Sequence, residues 1–185
     1  PRTEEALPNA REAFEHACRD PFHSQSLCDV VASTDCVCIV TADGTRPVPN
    51  RLLIPWLLET LPVPAEQVTI LVGTGTHRPN TDAELRGMIG DDLVDSYRVV
   101  QNNAFDPETQ ISLGMTARGH EVWMNRDIMA CDVRILTGFI EPHLFAGFSG
   151  GGKALMPGMA GLRTVLGNHD ASMLADPNAI WGVTR

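Results

Sequence analysis

The sequence predicts an α/β fold in which helices flank a mostly parallel sheet. Two observations lead there. Short apolar, β-rich runs alternate with stretches of helical spacing, and three of those runs end directly in a polar cluster. In open α/β sheets the ligand crevice lies beyond the carboxyl ends of the strands, so three such clusters would converge on one site.

Asn9 to Cys18 has helical spacing, with Ala10, Phe14 and Ala17 on one side, and Asp20-Pro21 ends it. His16 and His23, in or just after this helix, are read as solvated. Asp35 to Thr41 (DCVCIVT) is a buried strand, and its alternation turns Cys36 and Cys38 to one face. It runs into the turn Asp43-Gly44-Thr45-Arg46-Pro47. Pro49 to Leu61 reads as a helix with Leu52, Leu53, Trp56 and Leu57 on its apolar face. Gln67 to Val72 (QVTILV) is a second buried strand, followed at once by Gly73-Thr74-Gly75-Thr76-His77-Arg78-Pro79. Thr81 opens a helix through Met88, with Glu84 completing a capping box. Tyr97 to Gln101 and Glu121 to Met124 are short strands. Asp132 to Thr137 (DVRILT) is a further strand that feeds Gly138-Phe139-Ile140-Glu141-Pro142-His143. A glycine-rich stretch follows, then helical turns around Ala160 to Leu166.

The composition, 43% hydrophobic and 20% charged over 185 residues, is that of an ordinary globular chain. A net charge of −9 with no basic run argues against a nucleic-acid surface. The few cations must therefore be placed locally to meet an anionic ligand. Five cysteines form no CxxC pair and read as reduced thiols of a cytoplasmic protein. No stretch reaches the roughly 20 apolar residues of a membrane helix. The start, Pro1-Arg2-Thr3-Glu4-Glu5, lacks the character of a signal peptide, and both ends read as cut from a longer chain.

Each cluster has a functional and a structural reading. His77 follows two glycines that let backbone approach a ligand, and an imidazole there can exchange protons near neutral pH. It can equally satisfy loop carbonyls. The GxG before it lacks the following GxxG, so it is a poor dinucleotide fingerprint. His143 is a second strand-end imidazole, in a turn held by Pro142. Gly147-x4-Gly152-Lys153 fits the first part of a phosphate-binding P-loop, yet Ala154 stands where that loop needs Ser or Thr. The backbone of Gly150, Gly151 and Gly152 can still cradle an anion, and a desolvated Lys153 amine can form a covalent bond. His169 can be structural or a metal ligand, but no HExxH, CxxC or paired-carboxylate motif accompanies it, so any metal needs ligands from outside. Asp43 and Arg46 can form a local ion pair, or Arg46 can clamp a carboxylate or phosphate. His120, in a polar hairpin-like stretch, receives no role.

These segments together resemble the nickel-dependent lactate racemase family of 2-hydroxyacid racemases and epimerases. The residues that carry the resemblance are Asp43 to Pro47, Gly75 to Pro79, Glu141 to Lys153 and Asn168-His169. It implies that residues 1–185 form a Rossmann-like N-terminal, cofactor-binding catalytic domain, with a second, C-terminal domain of the same chain lying outside this sequence. It also implies a nickel-pincer pyridinium mononucleotide, installed with the help of cofactor-synthesis proteins. Lys153 matches the lysine that tethers this cofactor, and His169 the histidine on nickel. His77 and His143 match the acid/base pair. Asp43, Arg46 and the three glycines match positions near the cofactor, while Arg46 and Arg78 are expected to meet the substrate, a small 2-hydroxy acid. The rival readings are a P-loop-like nucleotide-binding protein and a cofactor-free module for a phosphate-bearing small molecule.

Overall fold

The computed structural model describes residues 6–181; the polar start (1–5) and the last residues (182–185) lie outside the described residues. Helix α1 (Ala10–Arg19) and the single turn α2 (Leu27–Val30) lead into strand β1 (Val37–Ala42). Helix α3 (Asn50–Thr60), strand β2 (Val68–Gly73), helices α4 (Asp82–Ile89) and α5 (Asp91–Ser96) and strand β3 (Arg98–Gln101) follow. Next come a hairpin of β4 (Gln110–Met115) and β5 (Glu121–Asn125), helix α6 (Arg126–Ala130) and strand β6 (Val133–Leu136). The remainder holds the two-residue strands β7 (Pro142–His143) and β8 (Gly147–Phe148), a 3-10 turn (Gly151–Ala154), and helices α7 (Leu162–Asn168) and α8 (Ala171–Leu174).

The main sheet has the order β3-β2-β1-β6, with every pairing parallel. β1 pairs Ile39 with Ile70 of β2 on one side and with Ile135 of β6 on the other. Because side chains alternate along a strand, this row faces the same way, toward Ile54 and Leu57 of α3 and Ile89 of α4. The intervening row, with Cys38, Val40 and Leu71, faces Met124 of β5, Ile128 of α6, Met159 and Val165 of α7. Both faces are covered, which explains why β1 and β2 read as continuous apolar runs. The second cover is a hairpin as much as a set of helices.

The capping box at Thr81 and Glu84 is formed as expected. Cys36 and Cys38 do share a face: the Cys36 Sγ lies 3.4 Å from that of Cys131, which packs in one cluster with Cys38. All five cysteines are free thiols, Cys38 and Cys131 buried and Cys28 exposed. Two helix faces differ from expectation. Of the three apolar residues expected on one side of α1, only Phe14 is covered, meeting the Trp56 ring at 5.5 Å, while Ala10 and Ala17 are exposed. In α3, Leu52 is 51% exposed, because Ile54 and Leu57 set the buried direction. α5 and β4 were not anticipated. The acidic six-residue helix shows no apolar period, and most of β4 is exposed.

Truncating Ile39, the centre of the isoleucine row, to Ala is expected to cost about 2–5 kcal/mol in urea unfolding. Leu52→Ala should stay within about 0.5 kcal/mol.

Candidate active site

β1, β2 and β6 all point the same way, so the chain leaves them at one edge of the sheet, through Asp43, Thr74 and Thr137. Thr137 is held there by its backbone N–H, which donates to the Val40 carbonyl (2.8 Å). A cavity of about 420 Å³ lies beyond this edge. Asp43, Arg46, His77, His143, Gly150, Lys153 and His169 all line it. A second cavity of about 370 Å³ shares His143, Lys153, Pro157 and His169 with the first and extends to Arg118, Asn168 and Met173.

Asp43 is buried, and both its oxygens are engaged. Oδ1 accepts from the Thr45 backbone N–H (3.1 Å) and hydroxyl (2.6 Å), and Oδ2 meets His77 Nδ1 at 2.7 Å. The short Asp-Gly-Thr turn thus carries a carboxylate from the end of β1 under the imidazole at the end of β2. Arg46 crosses from the first cluster to the third, with Nε 3.4 Å from Glu141 and Nη1 on the Thr45 carbonyl (3.3 Å). The Nδ1 of His143 accepts the backbone N–H groups of Phe145 (3.3 Å) and Ala146 (3.1 Å). Burial, then the positive charges of Lys153 and Arg46, hold its pKa below the ordinary value. The Lys153 pKa is also lowered, first by burial and then by Arg46. A lysine so placed holds more of its amine neutral than a solvated one. His169 donates from Nδ1 to the Val165 carbonyl (3.0 Å), leaving Nε2 as the nitrogen able to bind a metal. The Phe145 ring sits 4.8 Å from the His169 ring.

The lysine loop is clamped by close backbone packing. Gly75 N–H donates to the Gly158 carbonyl (2.9 Å), and a Cβ on Gly158 would collide with the Ala154 carbonyl. Gly138, just after β6, packs so tightly that a Cβ would come within 2.9 Å of Gly150 Cα. Ser149 locks the same junction: its hydroxyl donates to the Phe139 carbonyl and accepts from Glu141 N–H.

The profile of the lactate racemase N-terminal domain matches residues 1–182. The chain belongs to this family. It is 34% identical over 174 residues to the lactate racemases of Lactiplantibacillus plantarum and Thermoanaerobacterium thermosaccharolyticum, covering 93% of this chain in each case. It spans only 41% of the length of those relatives. The lactate racemase apoprotein of T. thermosaccharolyticum superposes with a TM-score of 0.87 at 33% identity, covering 94% of this chain and 42% of that one. A Thermotoga maritima protein at 24% identity shares the fold, with a TM-score of 0.73 over 99% of this chain and 46% of its own.

Within this lactate racemase domain, not every expected residue reaches the cavity. Arg78 makes a two-pronged ion pair with Glu84 (2.7 and 2.8 Å) and is not among the lining residues. Gly151 and Gly152 are exposed outside it, so of the three glycines only Gly150 contributes to the wall. The glycine stretch ends in a single 3-10 turn, so the helix N-terminus that a P-loop anion cradle requires is not formed there. His120 pairs with Asp170 (3.2 Å), away from the first cavity. Thr45, Phe145, Ser149 and Gly158 were missed. The glycine after Met156-Pro157 was the one available signal, since a glycine beside an apolar turn marks close backbone approach. Among the described residues no cluster of three or more His, Cys, Asp or Glu side chains can hold a metal, and no helix is long and apolar enough to cross a membrane.

Gly158→Ala is expected to cost about 1–3 kcal/mol of stability by overpacking the lysine loop. Gly87→Ala, where nothing lies within 4 Å of the added methyl, should not destabilise. The lowered His143 pKa gives a pH prediction. Unfolding restores ordinary proton affinity, so the unfolded chain binds the extra proton. Stability is therefore lost as pH falls below about 6.5, until the lower folded value is passed. His143→Gln should remove that part of the loss, read as a smaller drop in unfolding free energy between about pH 7.5 and about pH 5.5.

Proposed function

We propose that this chain is the cofactor-carrying part of a racemase or epimerase of a 2-hydroxy acid. The observation that carries the reading is that two strand-end imidazoles, a half-buried lysine and a histidine with Nε2 available all line one cavity. The expected cofactor is the nickel-pincer pyridinium mononucleotide. The residues fit it on two counts. Lys153 combines burial with a lowered pKa, as formation of a covalent tether through its amine requires. A single protein imidazole on the metal is acceptable only if the bound group supplies most of the other donors, and the donor set here is of that kind.

When bound, the group supplies a reversible hydride acceptor that interconverts the 2-hydroxy acid with a planar 2-keto acid. The chain's own residues do the rest. His77 and His143 would move the hydroxyl proton, Arg46 would draw the substrate carboxylate toward the cavity, and Lys153 and His169 would hold the cofactor. Because the chain spans 41% of its curated relatives, the C-terminal domain is expected to complete the substrate site. Cofactor-synthesis proteins are expected partners.

The test uses the full-length protein made together with the cofactor-synthesis proteins. Nickel and a mass increase localised to Lys153 are expected, with interconversion of enantiomers over a panel of 2-hydroxy acids. Lys153→Ala should lose the mass increase. His77→Ala and His143→Ala should keep it and lose about 10²–10⁴-fold in turnover. A Lys153→Ala protein that still carries the full adduct would refute the tether.

A further inference from the structure

Two of the imidazoles that line the cavity, His77 and His143, are held through the same ring nitrogen by partners of opposite kind. A carboxylate only accepts, so the 2.7 Å contact from Asp43 Oδ2 makes His77 Nδ1 the donor and leaves Nε2 as the bare lone pair. Backbone N–H groups only donate, so the contacts from Phe145 and Ala146 make His143 Nδ1 the acceptor and put its proton on Nε2. We infer that His77 and His143 rest as opposite neutral tautomers, a proton acceptor and a proton donor. Asp43 is then the positioning residue for the first and the 145–146 backbone for the second.

Both arrangements resist exchange. Moving the His143 proton to Nδ1 would aim an N–H at two other N–H groups and strand both of them. Moving the His77 proton to Nε2 would set a lone pair against a buried carboxylate, which Thr45 fixes through two further hydrogen bonds. Asp43 therefore acts through His77, which it holds with the oxygen that Thr45 does not engage. Resting on the racemase reading, this gives the reaction a starting polarity. A substrate hydroxyl facing His77 gives up its proton to a ready lone pair, and the imidazolium formed is stabilised by Asp43. A hydroxyl facing His143 meets an N–H, which can donate a hydrogen bond to its oxygen but cannot take its proton while the 145–146 backbone occupies Nδ1.

Tautomers are read directly from the imidazole nitrogen signals of the ¹⁵N-histidine-labelled full-length protein at about pH 8, above the ordinary imidazole range. His77→Gln and His143→Gln proteins assign them. Expected are a pyrrole-type Nδ1 and pyridine-type Nε2 for His77, and the reverse for His143. In Asp43→Asn the side-chain amide can donate to Nδ1, so His77 should switch to the Nε2–H form while His143 keeps its signals, as an intact fold requires. Like tautomers in the parent protein, or unmoved His77 signals in Asp43→Asn, overturn the inference. A chirality assay on the same cofactor-loaded sample separates the two claims. Opposite tautomers without racemisation leave the proton placement standing and remove the racemase reading; racemisation with like tautomers does the reverse.

Discussion

The site depends on the parallel register of three neighbouring strands. β1 runs level with β2 up to the pairing of Ala42 with Gly73, and with β6 up to that of Val40 with Leu136. Three loops therefore leave the sheet at nearly the same height. Parallel pairing keeps all strand ends of one polarity at one edge, and burial on both faces keeps that register fixed. With a change of direction in β6 alone, His143, Lys153 and His169 would start from the far edge of the sheet.

Close backbone contact then joins the end of β2 to the segment after β6 and folds that segment on itself. Gly73 and Gly158 meet beneath the lysine loop, and Gly138 meets Gly150 beside it. The long polar side chains that face the cavity, Arg46, His77, His143, Lys153 and His169, share its wall with glycines and small or apolar residues. Backbone contact holds the lysine loop, while side-chain contacts from Asp43 and Arg46 tie in the loop after β1. Ser149 adds hydrogen bonds where the segment after β6 doubles back, to Phe139 and Glu141.

Much of this was legible in the chain. β1 and β2 announced themselves as apolar runs because both faces are covered, and the Thr81 capping box fixed the start of α4. The clusters at Asp43 and His77 were legible because each closely follows a strand, and that at His143 because it lies on the segment that β6 feeds. Other features were not. Arg78 lies next to a site residue in sequence, but Glu84, six residues on, captures its guanidinium. Sequence adjacency gives no side-chain direction. Leu52 looked like a core position because α3 is apolar on more than one face. Phe145 and Thr45 act through orientation, pressing on His169 and holding Asp43, and no residue type or spacing marks such a role.

The unlike anchoring of the two imidazoles has a consequence that detailed balance imposes. Mirror-image forms of a 2-hydroxy acid are equal in free energy, so a racemase must show the same kcat/KM from either side at every pH. No bias in the placement of protons can breach that equality. A donor on one wall and an acceptor on the other can only redistribute the barrier between capture and turnover. In a racemase built this way, any preference for one enantiomer in binding must be matched by an equal and opposite preference in turnover.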